Sequence, residues 1–440
     1  MISVPASRLR ELVEALSDGA TTPSELAERS LRAARVAGNA FITVDESVLE
    51  SAREADERRR AGRPLSLIDG IPTALKDVIS TGGLRTTMAS AVFADHVPHH
   101  DAAIVQALRD AGALIVGKTN AQEFSYGIQG DIGAFGAVAN PHDPQRLAGG
   151  SSSGSAAAVA LGVVPFAVGT DTAGSVRVPA ALCGAASFKP TLGRISDAGV
   201  FPLSPSFDTV GLIAGTADDL ELLMAATGLL GDSAEPADAA GPDRILALHD
   251  LRAAVVDEPA GAPFDEVVHR LGTTPFSLAE IGVDVAELAR LYHSVRAVEA
   301  LEVHRELVRE HSDRYQPEVL AKIGEGRDVP RSEYRSARAR IDELRRIAAE
   351  RVHPADVLVS PTVPVLAPRF DGPRRGEELM SLCVVWSVLG WPALTIPLRV
   401  PGCRLPQSLQ LVAPPGQDHR LLSAGVAIER RLHALHPDTA

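Results

Sequence analysis

Residues 148–158 read Ala-Gly-Gly-Ser-Ser-Ser-Gly-Ser-Ala-Ala-Ala, and residues 169–177 read Gly-Thr-Asp-Thr-Ala-Gly-Ser-Val-Arg. Two serine-glycine turns thus bracket one short apolar segment. The alanine-rich run 155–161 predicts a helix and the apolar run 163–168 a buried strand, so the order is turn, helix, strand, turn. Outward from this stretch the same alternation recurs. A helical pattern (Ile104, Leu108) after Asp101 leads through Gly112 to a strand at 113–116 that ends at Gly117-Lys118. Apolar runs return at 357–360, 394–398 and 409–412 to close the core. Helix-strand alternation of this kind indicates an α/β layer architecture.

Near the N-terminus, Leu9, Leu12, Val13 and Leu16 predict an amphipathic helix ending at Gly19. Thr22-Pro23-Ser24-Glu25 is a capping-box sequence with proline at the first helical position, opening a second helix. A strand at 41–44 and a charged helix at 50–60 follow. Residues 70–77, Gly-Ile-Pro-Thr-Ala-Leu-Lys-Asp, place Lys76 in a run too apolar and short for a surface helix, which predicts a buried lysine. A helical and loop-rich region covers about 218–350, with polar helices near 299–310 and 334–349. Residues 228–242, rich in Asp, Ala, Gly and Pro, read as an exposed loop within one domain. The chain is expected to form a single domain over 1–440: N-terminal helices 1–60, a core about 65–215, the helical region, and a return to the core about 351–430.

With 440 residues and 45% hydrophobic content, the chain can bury roughly three quarters of its unfolded surface without staples. A net charge of −13 and the absence of a dense Lys/Arg block argue against a polyanion partner. Arg58-Arg59-Arg60 and the arginines of 331–346 are interleaved with acidic residues, as on solvated helix faces. Cys183, Cys383 and Cys403 match no disulfide framework, the N-terminus carries no signal-peptide core, and no run of 18 apolar residues occurs; a cytoplasmic protein without a membrane partner is expected.

Four local patterns compete for the chemistry. Gly150-Ser151-Ser152-Ser153-Gly154 matches the G-x-S-x-G nucleophile elbow, but 140–146 (Asn-Pro-His-Asp-Pro-Gln-Arg) reads as a loop where an elbow needs a buried strand. A phosphate cradle lacks the following Gly-Lys-Ser/Thr, and a plain helix cap accounts for the first turn alone. His96, His99, His100 and Asp101 have no second ligand cluster, so no metal is expected. The second turn, 170–175, follows a buried strand and offers a serine beside small residues whose amides can converge on an oxyanion. A serine needs a base, and a lysine kept neutral by burial can serve. Lys76 is the lysine that reads as buried.

These residues resemble the amidase signature family. Gly149-Gly150-Ser151-Ser152, Gly169-Thr170-Asp171-Thr172, Gly174-Ser175, Arg177, Pro179-Ala180 and Lys189-Pro190-Thr191 stand in that family's order. Asp69-Gly70-Ile71-Pro72, Gly117-Lys118-Thr119-Asn120, the run 356–362 and Leu409-Gln410-Leu411-Val412 extend the likeness over nearly the whole chain, least in the central region. The resemblance implies a three-layer α/β/α fold with a central mixed sheet covered by helices on both faces. It implies Ser175 as nucleophile, Lys76 as general base and Ser151, after a cis peptide bond, as the relay between them. It places the oxyanion hole at the amides of Thr172, Ala173, Gly174 and Ser175 and requires no cofactor. Asp171 and Arg177 are expected to hold the loop, and Tyr126 and Gln129 to face the substrate. Trp386 and Trp391 are read as core or pocket wall, Trp386 being the candidate substrate contact.

Two positions depart from the family pattern. Ser153 replaces a second glycine, and Ala173 replaces the glycine before Gly174-Ser175, a version that resembles allophanate hydrolases and related small-amide hydrolases. The implied activity is hydrolysis of a C–N bond in a small-molecule amide, releasing ammonia or amine and an acid. The alternatives are an amidotransferase A-type subunit that works on glutamine and misacylated tRNA, or an inactive binding protein of the same fold. A small amide is the expected partner, nucleic acid is not, a homodimer is left open, and the acyl group stays unassigned among aryl, aliphatic, peptide and urea-type amides.

Overall fold

The computed structural model describes residues 9–231, 242–253, 258–398 and 403–434. Its strands are β1 Phe41–Val44, β2 Pro72–Lys76, β3 Leu114–Thr119, β4 Ala139–Asn140, β5 Asp143–Leu147, β6 Phe166–Asp171, β7 Ala186–Lys189, β8 Thr209–Ala214, β9 Arg244–Leu248, β10 Thr274–Phe276, β11 Asp356–Pro361, β12 Ala393–Leu398 and β13 Gln407–Val412. All but β4 and β5 join one 11-stranded sheet in the order β1-β3-β2-β6-β8-β7-β12-β13-β11-β9-β10. The sheet is mixed: β3, β2 and β6 run parallel, as do β11, β9 and β10, while the strands between pair antiparallel.

Alternation along the strands shows why both faces are covered. In β6, Phe166 and Val168 enter one core while Ala167 enters the other; in β8, Val210, Leu212 and Ala214 oppose Ile213. In β11, Val357 and Val359 oppose Leu358. Side chains of successive strand residues point to opposite faces, so a strand apolar at every position needs helices on both sides. Leu9–Ser17, Ala217–Thr227 and Asp418–Ala434 cover one face. Pro23–Val36, Val48–Arg60, Ser153–Ala160 and Arg177–Cys183 cover the other beside the N-terminal strands. The fold is the three-layer α/β/α mixed-sheet arrangement that the sequence implies.

Local signals act as read where they are strong. Thr22 caps its helix with a full capping box, its side chain accepting from the Glu25 amide and the Glu25 carboxylate accepting from the Thr22 amide. Elsewhere the boundaries move. The strand expected at 163–168 runs Phe166–Asp171, because a turn at Leu161–Gly162 follows the helix, and the strand expected at 113–116 extends to Thr119. The polar helices expected near 299 and 334 are longer, Val285–His311 and Arg331–Glu350. Residues 140–146, read as a loop, lie in the small β4–β5 hairpin, outside the main sheet and half exposed. Most of the loop expected at 228–242 lies outside the described residues.

Gly154 shows how tightly the first turn is packed. A Cβ there would lie 2.2 Å from the Ala40 carbonyl oxygen and 2.5 Å from the Asn120 amide nitrogen, both backbone atoms. Helix propensity alone would favour alanine by about 1 kcal/mol, but the clash opposes it. Gly154→Ala is therefore expected to destabilise the protein by about 1–3 kcal/mol, read as a lower urea midpoint; an unchanged or higher midpoint would refute the packing argument.

Candidate active site

Lys76 is the last residue of β2, and its parallel neighbour β6 runs on through Thr170 to Asp171. Parallel neighbours end at the same edge of a sheet, so Lys76 arrives beside Thr170 and the turn after it. The first serine turn comes to the same edge because it heads the helix Ser153–Ala160, which packs on β2 and β6. Lys76 Nζ donates to Ser151 Oγ at 2.7 Å and to Thr170 Oγ1 at 2.6 Å, with all three residues buried. Burial strips water from the ammonium and pushes its pKa down to about 7; the more distant carboxylates of Asp208 and Asp171 oppose this but do not cancel it. The peptide bond between Gly150 and Ser151 is cis.

One backbone bond joins the turn of Ser151 to Ser175, and another ties Ser151 to Gln122. The Ser152 amide donates to the Ser175 carbonyl at 3.0 Å, and the Gln122 amide donates to the Ser151 carbonyl at 3.1 Å. The elbow serine of the G-x-S-x-G match, Ser152, is occupied elsewhere: its Oγ accepts from the Thr170 amide and donates to the Thr170 carbonyl, each at 3.3 Å. Ser175 sits at the base of a cavity of about 510 Å³, with Thr172 and Ala173 beside it.

Asp171 and Arg177 form a fully buried ion pair at 2.9 Å. The Asp171 carboxylate also accepts from the amides of Gly174 (2.7 Å) and Val176 (3.2 Å), which folds the loop around it. Burial alone would raise the Asp171 carboxyl, but the Arg177 guanidinium overrides it and holds the group well below the usual carboxylate range. Of the four amides expected to form the oxyanion hole, that of Gly174 donates to Asp171, while those of Thr172, Ala173 and Ser175 have no protein acceptor among the described residues.

Tyr126 and Gln129 both line the cavity. Trp386 does not. It is fully buried, its ring 5.7 Å from that of Trp391, while Met380 of the same helix, Gly376–Leu389, faces the cavity. Six residues turn a helix through about 240° relative to Met380, so Trp386 faces the core. Asp101, considered as a metal ligand, instead accepts from the Gly82 amide and from Arg109. Among the described residues, no three His, Cys, Asp or Glu side chains gather as a metal site, and no helix is long and apolar enough to cross a membrane.

Several residues at the site had no role in the sequence reading. Thr170 stood inside the quoted stretch, yet nothing in its spacing marks it as the second partner of Lys76. Asp208 accepts from Thr172 Oγ1 at 2.6 Å and from the amides of Leu203 and Ser204. Gln410 and Ser387 complete the bonding of Arg177, at 2.8 and 2.7 Å. Arg296 and Lys322 come to the cavity wall from the central helices.

The site thus holds a buried lysine bonded to one serine, with a second serine lining the cavity nearby. The Amidase family model matches residues 25–422, and the chain belongs to that family. It is 35% identical to the A-type subunit of glutamyl-tRNA(Gln) amidotransferase from Deinococcus radiodurans, covering 95% of this chain and 96% of that one. Among solved structures, a crystal structure of an amidase has 30% identity and a TM-score of 0.87 over 96% of this chain and 99% of its own. The native peptide amidase of Stenotrophomonas maltophilia has 25% identity and a TM-score of 0.81, covering 97% of each chain.

Asp171→Asn would leave the Arg177 guanidinium buried without its counter-charge. A loss of about 3–5 kcal/mol is expected in denaturant unfolding at neutral pH. Because the folded-state pKa of Asp171 is depressed, its contribution is present at neutral pH and is lost only as the pH falls through the strongly acidic range. The variant should thus be weaker than wild type throughout the mildly acidic and neutral range.

Proposed function

We propose that this protein cleaves the C–N bond of an amide through an acyl-enzyme on Ser175. The observation that carries the reading is the contact of a desolvated Lys76 with Ser151, on the turn bonded to that of Ser175. Neutral Lys76 Nζ takes the Ser151 hydroxyl proton, Ser151 takes that of Ser175, and Ser175 Oγ attacks the amide carbon. The oxyanion is met by the amides of Thr172, Ala173 and Ser175. As the relay returns the proton to the nitrogen, the C–N bond breaks and the amine leaves. Water then attacks the ester, its proton travels the same route, and Ser175 is restored with release of the acid. Asp171 and Arg177 act by holding the 172–176 turn, and Tyr126 and Gln129 line the path of the substrate.

Two sources of the amide are supported by different observations. A stand-alone hydrolase of small amides is supported by the likeness to solved amidases. A glutamine-using amidotransferase component is supported by near-full-length identity to curated subunits of that name, and this likeness is the stronger of the two. Those relatives' name includes a tRNA, so the absence of a nucleic-acid partner belongs only to the stand-alone reading. Three free cysteines, two of them buried, support the cytoplasm as compartment. Ammonia release from a panel of small amides and from glutamine, each with and without partner subunits and charged tRNA, separates the readings. Glutamine turnover that requires the additions supports the second.

Both readings require Ser175→Ala to lower kcat by at least about a thousandfold and to abolish labelling by a fluorophosphonate, while the melting temperature stays close to wild type. Retained labelling or turnover would move the nucleophile elsewhere. The lysine base fixes the sign of the pH dependence. Below about pH 7 Lys76 is protonated and cannot accept, so kcat/KM should rise with pH through about 7 and level off above it. A profile flat across that range would exclude Lys76 as the base.

A further inference from the structure

The cavity above Ser175 is walled by charge, and nearly all of it is paired. Arg296 donates to Glu325 at 2.9 Å, Arg374 lies 3.3 Å from Asp131 and 3.7 Å from Glu318, and Arg375 lies 3.6 Å from Glu378. The exception among the wall cations is Lys322, on the helix Pro317–Gly324. Among the described residues no carboxylate reaches its ammonium within salt-bridge distance. Its Nζ instead lies 5.9 Å from the centre of the Tyr126 ring, whose face Arg296 also meets at 5.1 Å. Tyr126 is pinned in that position, its hydroxyl donating to the Lys322 carbonyl at 3.2 Å.

Two cations on one aromatic ring are attracted by its quadrupole but repel each other. Lys322 is half-buried, and burial together with the guanidiniums of Arg296 and Arg374 lowers its pKa, with Glu325 and Asp131 opposing. Lys322 is therefore a wall cation that no carboxylate contacts among the described residues, within a lining that carries both signs of charge. Of the nearby carboxylates, Glu325, Asp131, Glu318 and Glu378 are each engaged by arginine or histidine. Glu377, unpaired among the described residues, also lines the cavity at its solvent-exposed side and has no salt bridge to Lys322.

We infer that Lys322, seated on Tyr126, anchors a carboxylate carried by the substrate, so that the amides this site takes are anionic ones. The inference rests on the reading of Ser175 as an amide-cleaving nucleophile. It adds what that reading lacks, a substrate class and the residue that selects it. A carboxylate entering the cavity would exchange part of its water for a half-buried ammonium, and hydrogen bonds between charged groups are stronger than neutral ones.

The test uses the full-length protein with glutaramate and adipamate, each compared with the neutral alkanamide of the same chain length. Wild type is expected to prefer the better carboxy-amide to its neutral counterpart by roughly tenfold to a hundredfold in kcat/KM, and to be inhibited competitively by glutarate. In Lys322→Met this preference should fall towards one, mainly through KM, and Lys322→Arg should keep most of it. A wild-type ratio near one, or a folded Lys322→Met variant that keeps the ratio, overturns the inference. Should Lys322→Met fail to fold, the wild-type ratio and glutarate inhibition decide. Ser175 labelled by a fluorophosphonate without turnover of the carboxy-amides also overturns it, leaving the hydrolase reading intact. No turnover of any of these amides together with an unlabelled Ser175 removes that reading, and the inference with it.

Discussion

The ammonium of Lys76 has been taken out of water and given two hydroxyls in return. Neither Ser151 nor Thr170 carries a charge, so nothing in contact with the lysine repays the loss of solvation, and the proton is held loosely at neutral pH. Such a group weakens the fold. Between about pH 7 and its ordinary value the unfolded chain binds the proton and the folded chain does not, so stability rises with pH across that window. A lysine that is costly to the fold and poised as a base calls for compensating structure nearby, and the sheet around it supplies that structure.

The compensation is a separate ionic system a few residues away. Asp171 closes β6, and its carboxylate gathers the Arg177 guanidinium together with the amides of the nucleophile turn. Arg177 in turn reaches Gln410 on β13 and Ser387 on the helix Gly376–Leu389, and Gln410 donates to Ser360 and to the Leu382 carbonyl. Each member is satisfied, which is the condition under which a buried charged network stabilises rather than weakens. The C-terminal strands therefore fix the turn that begins more than 200 residues earlier in the chain. Lys189 and Lys118, both fully buried on other strands of the sheet, are likewise depressed, to about 7 and about 8, with desolvation as the main cause.

Much of this was legible in the chain because short-range constraints write themselves into short stretches. Lys76 betrays its burial by its apolar neighbours, the Thr22 box its cap, and the two serine turns their shared edge through the strand between them. Where the outcome depends on contacts between distant segments, the residues carry no local mark. Thr170 becomes a partner of Lys76 only because β2 and β6 are parallel neighbours, and Asp208 reaches Thr172 from a loop 36 residues on. The same limit explains the misreadings. The Gly174 amide looks free until the Asp171 carboxylate is seen to take it, Trp386 reads as core or pocket wall until the phase of its helix decides for the core, and residues 140–146 look like a loop because a hairpin of Asp, Pro, Gln and Arg has no apolar alternation to announce it.

The division of labour in the cavity follows from this. Lys76, Ser151 and Ser175, the groups proposed to break the bond, stand on a strand end and tight turns of the sheet, where packing leaves little room for change, as the backbone contacts around Gly154 illustrate. The wall that meets the rest of the substrate comes from elsewhere: Tyr292 and Arg296 from the helix Val285–His311, Lys322 from Pro317–Gly324, and Met380 from Gly376–Leu389. Charges there are paired with one another across helices rather than built into the sheet, so a change of one wall residue alters the field felt by a ligand without disturbing the lysine or either serine. A rigid base under a wall of exchangeable side chains lets chemistry and selectivity vary separately. That separation is the physical reason why one catalytic base of this fold, on the reading proposed above, can serve under walls of different charge.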